Sequence, residues 1–143
     1  MDREQQKREV REAIEAGNIT LGYLNKAWDE LESASGFGIA DLFGLDLIGG
    51  IGKHIKIDSA KEQMRLAQEQ VQRFQKELAD LGNMFSQSVD IDGVWTFMDF
   101  ALDGFIMDFL MQDKIEKAKS KVNDCIVQVN RVVDELYRLE RTL

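Results

Sequence analysis

Three unbroken heptad stripes of apolar residues constrain the fold of this chain more than any other feature. In each stripe the spacing alternates between three and four residues, which places every member on one face of an α-helix. The 143 residues include no proline, the residue that most readily breaks such helices. The first stripe comprises Val10, Ile14, Gly17, Leu21, Leu24, Trp28 and Leu31; the second Ala60, Met64, Ala67, Val71, Phe74, Leu78, Leu81 and Phe85; the third Ile115, Ala118, Val122, Cys125, Val129, Val132, Leu136, Leu139 and Leu143.

These stripes predict an all-α fold, an antiparallel bundle of three long heptad-patterned helices. One or two short apolar helices in the connections would make it a three- to four-helix bundle. The helices are expected over residues 5–34, 56–87 and 105–142, in a single domain of residues 1–143. Residues 1–9 are polar at the stripe positions, so we expect an N-terminal overhang there.

Gly17 keeps the register of the first stripe, so we expect one continuous helix and close approach of a neighbouring helix at that point. Ser59 and Glu62 have the spacing of a capping box, which would start the second helix as late as Ser59. Beside the third stripe lie the further apolar residues Ile126, Val133 and Tyr137. Such a wide apolar face predicts that the third helix packs against two neighbours.

Two long connections are the unusual part of the chain. Residues 35–55 interleave six of the eleven glycines with bulky apolar residues, and residues 88–113 combine apolar residues with six aspartates and no lysine or arginine. Short helices that complete the core are the preferred interpretation of both connectors. Exposed apolar surface for a protein or membrane contact is the alternative. The candidate contact residues are Phe37, Phe43, Leu47 and Ile48 in the first connector and Trp95, Phe105 and Phe109 in the second.

Residues 88–99 resemble the calcium-binding loop of an EF-hand. The oxygen ligands would come from Ser88, Asp90, Asp92, Val94 through its carbonyl, Thr96 and Asp99, with Gly93 at the turn. Ser88 stands where aspartate is usual, Asp99 stands in place of glutamate, and the chain has no second such loop. We therefore interpret Asp90 or Asp92 as the N-cap of a following helix. Calcium is the alternative, and no other cofactor is expected.

Composition excludes several classes of function. The net charge of −8 opposes nucleic-acid binding. A single histidine, His54, excludes di-iron bundle sites, which need two Glu-x-x-His motifs. The single cysteine, Cys125, excludes an internal disulfide, and its place on the third stripe predicts a buried thiol. No set of nucleophile, base and oxyanion donors can be assembled, so we expect no enzymatic activity.

The remaining features favour a non-enzymatic helical interaction or scaffold module that self-associates, with a homo-oligomer or another protein as partner. A membrane-active protein that uses the glycine-rich connector is one alternative, although the negative charge opposes anionic lipid. A calcium-responsive module that uses residues 88–99 is the other. The N-terminal sequence is charged from its second residue and lacks a secretory signal, so a cytoplasmic location is expected.

Overall fold

The computed structural model of the chain contains three long α-helices in the residues that it describes. These residues are 2–41, 46–84 and 115–143, and side chains are described for residues 2–34, 58–82 and 115–143. The helices are α1 (Arg3–Asp41), α2 (Asp46–Met84) and α3 (Ile115–Thr142). No strand occurs in these ranges, so the predicted all-α bundle is confirmed. The short apolar helices predicted for the second connector lie outside the described residues.

Helix α1 is the central element, because it packs against both α2 and α3 along its length. Two contacts along each helix pair give the directions. In α2, Ser59 meets Glu30 and Gln70 meets Thr20. In α3, Lys119 meets Glu32 and Glu140 meets Arg11. Both α2 and α3 therefore run antiparallel to α1. Among the described helices it is α1, and not α3 as its wide apolar face predicted, that has two extensive helix neighbours.

The N-terminal residues are helical and are attached to the end of the bundle. The Asp2 side chain caps α1, since its Oδ1 accepts a hydrogen bond of 2.7 Å from the backbone N–H of Gln5. One residue further on, the Arg3 guanidinium donates to the C-terminal carbonyl of Leu143 on the neighbouring helix. Residues 3–9 of the predicted overhang are thus the first part of α1.

The predicted helix ends around the glycine-rich connector are wrong. Helix α1 continues beyond residue 34 to Asp41, and α2 begins at Asp46, well before residue 56. Ser59 is not a cap; it lies inside α2, and its hydroxyl donates to Glu30 of α1 over 2.9 Å. The physical reason is that glycine weakens a helix by only about 1 kcal/mol per residue. Without proline, no residue in this segment is sterically barred from a helix.

The stripes on α2 and α3 form the core as predicted. Phe85 lies outside the described residues, and Ile115, Leu139 and Leu143 are half-buried ends of the third stripe. The other stripe members on these two helices are buried, and Val133 joins them. The core residues of α2 and α3 are Ala60, Met64, Ala67, Val71, Phe74, Leu78, Leu81, Ala118, Val122, Cys125, Val129, Val132, Val133 and Leu136.

The buried face of α1 differs from the predicted stripe. Leu21 and Trp28 are only partly buried, and small residues take the centre of the face instead. The fully buried small side chains of α1 are Ala13, Thr20, Ala27 and Ala34. This shift follows from the two neighbours of α1, because a helix enclosed on two sides buries a wider face than a single heptad stripe.

Both neighbouring helices come close to α1 at Gly17. A Cβ atom added to Gly17 would lie 2.6 Å from Val133 Cγ2 of α3 and 3.0 Å from Phe74 Cζ of α2. The expectation that this glycine admits a neighbouring helix is confirmed, and it admits two. One turn later, the Thr20 hydroxyl lies 2.7 Å from the Ala16 carbonyl oxygen and 3.1 Å from the Gln70 carbonyl oxygen.

Candidate interaction surface

Most of the residues that the sequence predicted as sites lie outside the described part of the structure. This holds for the calcium-loop residues Ser88, Asp90, Asp92, Val94, Thr96 and Asp99 and for the contact residues Phe43, Trp95, Phe105 and Phe109. The backbone at Phe37, Leu47 and Ile48 belongs to α1 or α2, but their side chains are not described. These predictions remain predictions.

The described residues form a different candidate site, a groove between α1 and α3. Its volume is about 430 Å³, and it is open to solvent. The lining residues are Arg11, Ile14, Glu15, Asn18 and Ile19 of α1 and Tyr137 and Glu140 of α3. The groove combines an apolar floor with charged edges, which is the composition of a protein contact surface rather than of a closed ligand cavity.

Two contacts between the helices hold the walls of the groove. The Arg11 guanidinium forms an ion pair with Glu140, with 3.3 Å between Nε and Oε2. Further along the same groove, Asn18 Nδ2 lies 3.3 Å from Tyr137 Oη and donates a weak hydrogen bond to it. The tyrosine ring is therefore oriented by its hydroxyl, while much of the ring stays in solvent.

The apolar residues at this groove are unusually exposed for their size. Ile19 is 41% exposed and Tyr137 is 40% exposed, and Val127 on the outer side of α3 is 42% exposed. These are the large hydrophobic residues with the greatest exposure among the described residues. Two of the three line one groove, so the exposure is concentrated on the α1–α3 side of the bundle.

Charged side chains that form no ion pair within the described part of the chain flank the same surface. Glu15 on α1 and Arg138 and Arg141 on α3 are exposed, and none forms an ion pair with another described residue. The acidic group lies on one side of Tyr137 and the two arginines lie on the other. The surface thus carries both signs of charge beside an apolar centre.

At the far end of the α1–α3 contact, Lys119 joins the two helices. Its ammonium group pairs with Glu32 of α1, lies 3.7 Å from Glu116, and lies 5.3 Å from the centroid of the Trp28 ring. The hydrogen bond to Glu32 is the main reason that the pKa of Lys119 lies above its ordinary value. This cluster fixes the register of α3 on α1 and leaves no open site.

An acidic cluster lies between α1 and α2. Carboxylate oxygens of Glu9, Glu12 and Glu77 lie within 4.8 Å of one another. Partial burial, and then the charges of Glu12, Asp80 and Glu9, raise the pKa of Glu77 above its ordinary value. Such a group has oxygen ligands that hard cations prefer. Its members are exposed or half-exposed, however, and exposed acidic groups commonly gather without an ion.

Cys125 is buried on the inner face of α3, as the sequence predicted. Burial, and to a lesser degree the charge of Asp124, raises the pKa of its thiol to about 12. A protonated, enclosed thiol is a poor nucleophile and a poor metal ligand. Cys125 is therefore a packing residue of the core.

The sequence analysis placed Tyr137 on the wide apolar face of the third helix, which was expected to pack against two neighbours, and it did not single out Ile19. A signal for Ile19 was available, because it is a large aliphatic residue away from the first heptad stripe. The sequence could not predict that Ile19 lies close to Tyr137, since the two residues are far apart in the sequence and meet only through helix packing.

Within the described residues, none of the helices has the length and apolarity needed to cross a bilayer. None of the family models, curated proteins or solved structures compared with this chain matches it.

Proposed function

We propose that this protein is a non-enzymatic helical interaction module that self-associates. The observation that carries the proposal is the groove between α1 and α3, where Ile19 and Tyr137 expose about two-fifths of their surface beside one another. A rigid pair of packed helices with an apolar centre and charged edges suits a protein partner. Tyr137 is the expected anchor, because tyrosine is one of the residue types enriched among the few residues that dominate the binding energy of such contacts.

The interior of the bundle supports the same proposal. Among the described residues, Thr20 is the one buried polar residue, and its hydroxyl proton is shared between the carbonyl oxygens of Ala16 and Gln70. The other residues of the described core are aliphatic, aromatic, methionine or cysteine. A core of this kind supplies rigidity to the surface above it, which lowers the entropy lost on association.

Solution mass tests the proposal directly. Light scattering on a sizing column, at two protein concentrations at least about a hundredfold apart, should give a mass near twice the 16.4 kDa of one chain at the higher concentration. The Tyr137→Ala variant should shift this equilibrium toward the single chain without changing the helical circular dichroism spectrum. A wild-type protein that keeps the mass of one chain at every concentration would contradict self-association.

A further inference from the structure

The three described helices are arranged as three corners of a four-helix bundle. Helix α1 packs along both α2 and α3, whereas α2 and α3 make hardly any direct contact with each other. In a three-helix bundle each helix packs on both of the others. Helices on the diagonal of a four-helix bundle are instead held apart by the central core. The described part of the chain therefore leaves a fourth corner between α2 and α3, diagonally opposite α1.

Contacts with α1 show which sides of α2 and α3 border the fourth corner. On α3, Lys119 and Glu140 pair with residues of α1, so one edge of the buried stripe faces α1. On α2 that edge is marked by Gln70 and Glu77, which lie against α1. The other edges face the fourth corner and make it apolar. Their buried residues are Met64, Val71 and Leu78 of α2 and Ala118, Cys125 and Val132 of α3.

The chain between α2 and α3 has to travel the length of the bundle. Both helices run antiparallel to α1, so they are parallel to each other. Met84, the last residue of α2, lies near the level of the first turns of α1, whereas Ile115 lies near the level of residue 36. These levels are about 30 residues, or about 45 Å, apart along α1. The connecting residues 85–114 are also 30 in number, enough for one helical crossing.

The sequence of residues 85–114 has the pattern expected of a fourth bundle helix. Its apolar residues include a stripe in which spacings of four and three alternate, as on the three described helices. Such a stripe lies on one face of a helix and suits an apolar corner. Residues 88–113 also carry six aspartates and no lysine or arginine. The stripe comprises Ile91, Trp95, Met98, Leu102, Phe105 and Phe109.

Charge and exposure distinguish the fourth corner from the other sides of the bundle. The α1–α2 side carries Glu9, Glu12 and Glu77, which would repel the six aspartates. The α1–α3 side is the groove around Tyr137, which is open to solvent. The flank of α3 beside the fourth corner is mainly basic. Its exposed or half-exposed charged residues are Lys117, Lys121, Arg131 and Arg138, with Asp124 and Glu135.

We propose that residues 85–114 of the same chain occupy the fourth corner and run along its whole length, antiparallel to α2 and α3. Their apolar stripe closes the core over Leu78 and Cys125, and their aspartates lie near the basic flank of α3. One chain is then a complete four-helix bundle of up-down-up-down topology. This arrangement within one chain does not require self-association, and it leaves the α1–α3 groove as the open surface.

Disulfide formation with Cys125 tests this placement in the full chain. Under a single helical crossing, Leu102 lies on the apolar stripe and within about 3 Å of the level of Cys125. The Leu102→Cys variant, refolded from urea at low concentration in a glutathione redox buffer, should form an intramolecular disulfide. Phe100→Cys is the matched control, because position 100 is on the opposite face of a helix. It should form at least about tenfold less disulfide at the same redox ratio.

The melting temperature gives a second readout. Oxidation should raise that of Leu102→Cys by about 10 °C above the reduced form of the same variant, because the bond joins native neighbours. Comparison of the two forms removes any loss caused by the substitution itself. An equal yield of disulfide in both variants, including none in either, would overturn the inference, as would a bond that lowers the melting temperature. A disulfide between two chains would also overturn it, because the fourth corner would then hold the segment of a second copy.

Discussion

Replacement of Gly17 by alanine tests the packing of the three helices most directly. The new Cβ atom would lie 2.6 Å from Val133 Cγ2 and 3.0 and 3.1 Å from two atoms of the Phe74 ring. Contacts below 3 Å require the neighbour to move. Val133 has little freedom to do so, because a β-branched side chain in a helix is held in one χ1 rotamer. Phe74 is fully buried, so its ring has no space to leave.

The magnitude follows from two opposing effects. Overpacking of a well-packed core destabilises by about 1–3 kcal/mol, and the fixed neighbours of Gly17 favour the upper part of that range. Removal of a helical glycine stabilises by about 1 kcal/mol. We therefore expect Gly17→Ala to lower the free energy of unfolding by about 2 kcal/mol. In a chain of this length this is a fall in melting temperature of about 6–8 °C.

Gly22→Ala is the matched control, since it makes the same substitution in the same helix where space is open. It should raise the free energy of unfolding by about 1 kcal/mol. Thermal and urea unfolding followed by circular dichroism would measure both variants, at a concentration low enough for the single chain to dominate. If Gly17→Ala is as stable as Gly22→Ala, the close approach of the three helices at Gly17 is refuted.

A second substitution identifies which neighbour causes the loss. Val133→Ala removes the methyl group nearest to the new Cβ atom. By itself it should destabilise the bundle by roughly 1.5 kcal/mol through lost burial. In the Gly17→Ala background the same change should be less harmful by about 1 kcal/mol, because the two effects compensate. If the free-energy changes of the two substitutions simply add, the contact between the new Cβ atom and Val133 is not the cause of the loss.

Three further predictions concern buried and titrating groups. Thr20→Val should lower the free energy of unfolding by about 1 kcal/mol in urea titrations, because the hydroxyl proton shared between two carbonyl oxygens is lost. An unchanged value would show that this shared hydrogen bond is not net stabilising. Cys125 should resist thiol reagents in the native protein at pH 8 and react once the protein is unfolded. The free energy of unfolding should also fall from about pH 9 upward. The reason is that the thiol of the unfolded chain ionises near its ordinary pKa, while burial holds the pKa of the native thiol at about 12. Rapid native labelling would contradict its burial. Glu77→Gln should stabilise the bundle by about 0.3 kcal/mol at pH 7, and the gain should vanish below the ordinary glutamate pKa, because the raised native pKa of Glu77 makes its charged form unfavourable only as the pH rises; a gain independent of pH would exclude charge as its cause.

The heptad pattern was sufficient for the cores of α2 and α3, because each of these helices buries one stripe against α1. On α2 the described stripe residues from Ala60 to Leu81 are all buried. On α1 the same reasoning failed in part. Thr20 and Ala27 are fully buried although they are off the predicted stripe, whereas Trp28 is on it and only partly buried. A helix that lies between two neighbours buries small residues such as these, and a search for strongly hydrophobic residues does not identify them.

Helix ends were the weakest predictions, and the reason is local. Between residues 35 and 55 the glycines reduce helix propensity, so sequence patterning placed a connector there. The structure continues α1 to Asp41 and starts α2 at Asp46, since propensity is a weak preference that the surrounding fold overrides. The contact residues predicted at Phe37, Phe43, Leu47 and Ile48, and the sites predicted in residues 88–109, remain predictions, because no side chain is described there.

The sequence by itself determined the all-α class, the faces that α2 and α3 bury, the enclosure of Cys125 and the close contact at Gly17. Each of these depends on periodicity or on residue size, which are properties of one helix. The tertiary structure alone decided that α1 is the central helix and that Ile19 and Tyr137 share a groove. Those facts depend on which faces meet across more than a hundred residues of sequence, and the same stripes are compatible with several packing orders.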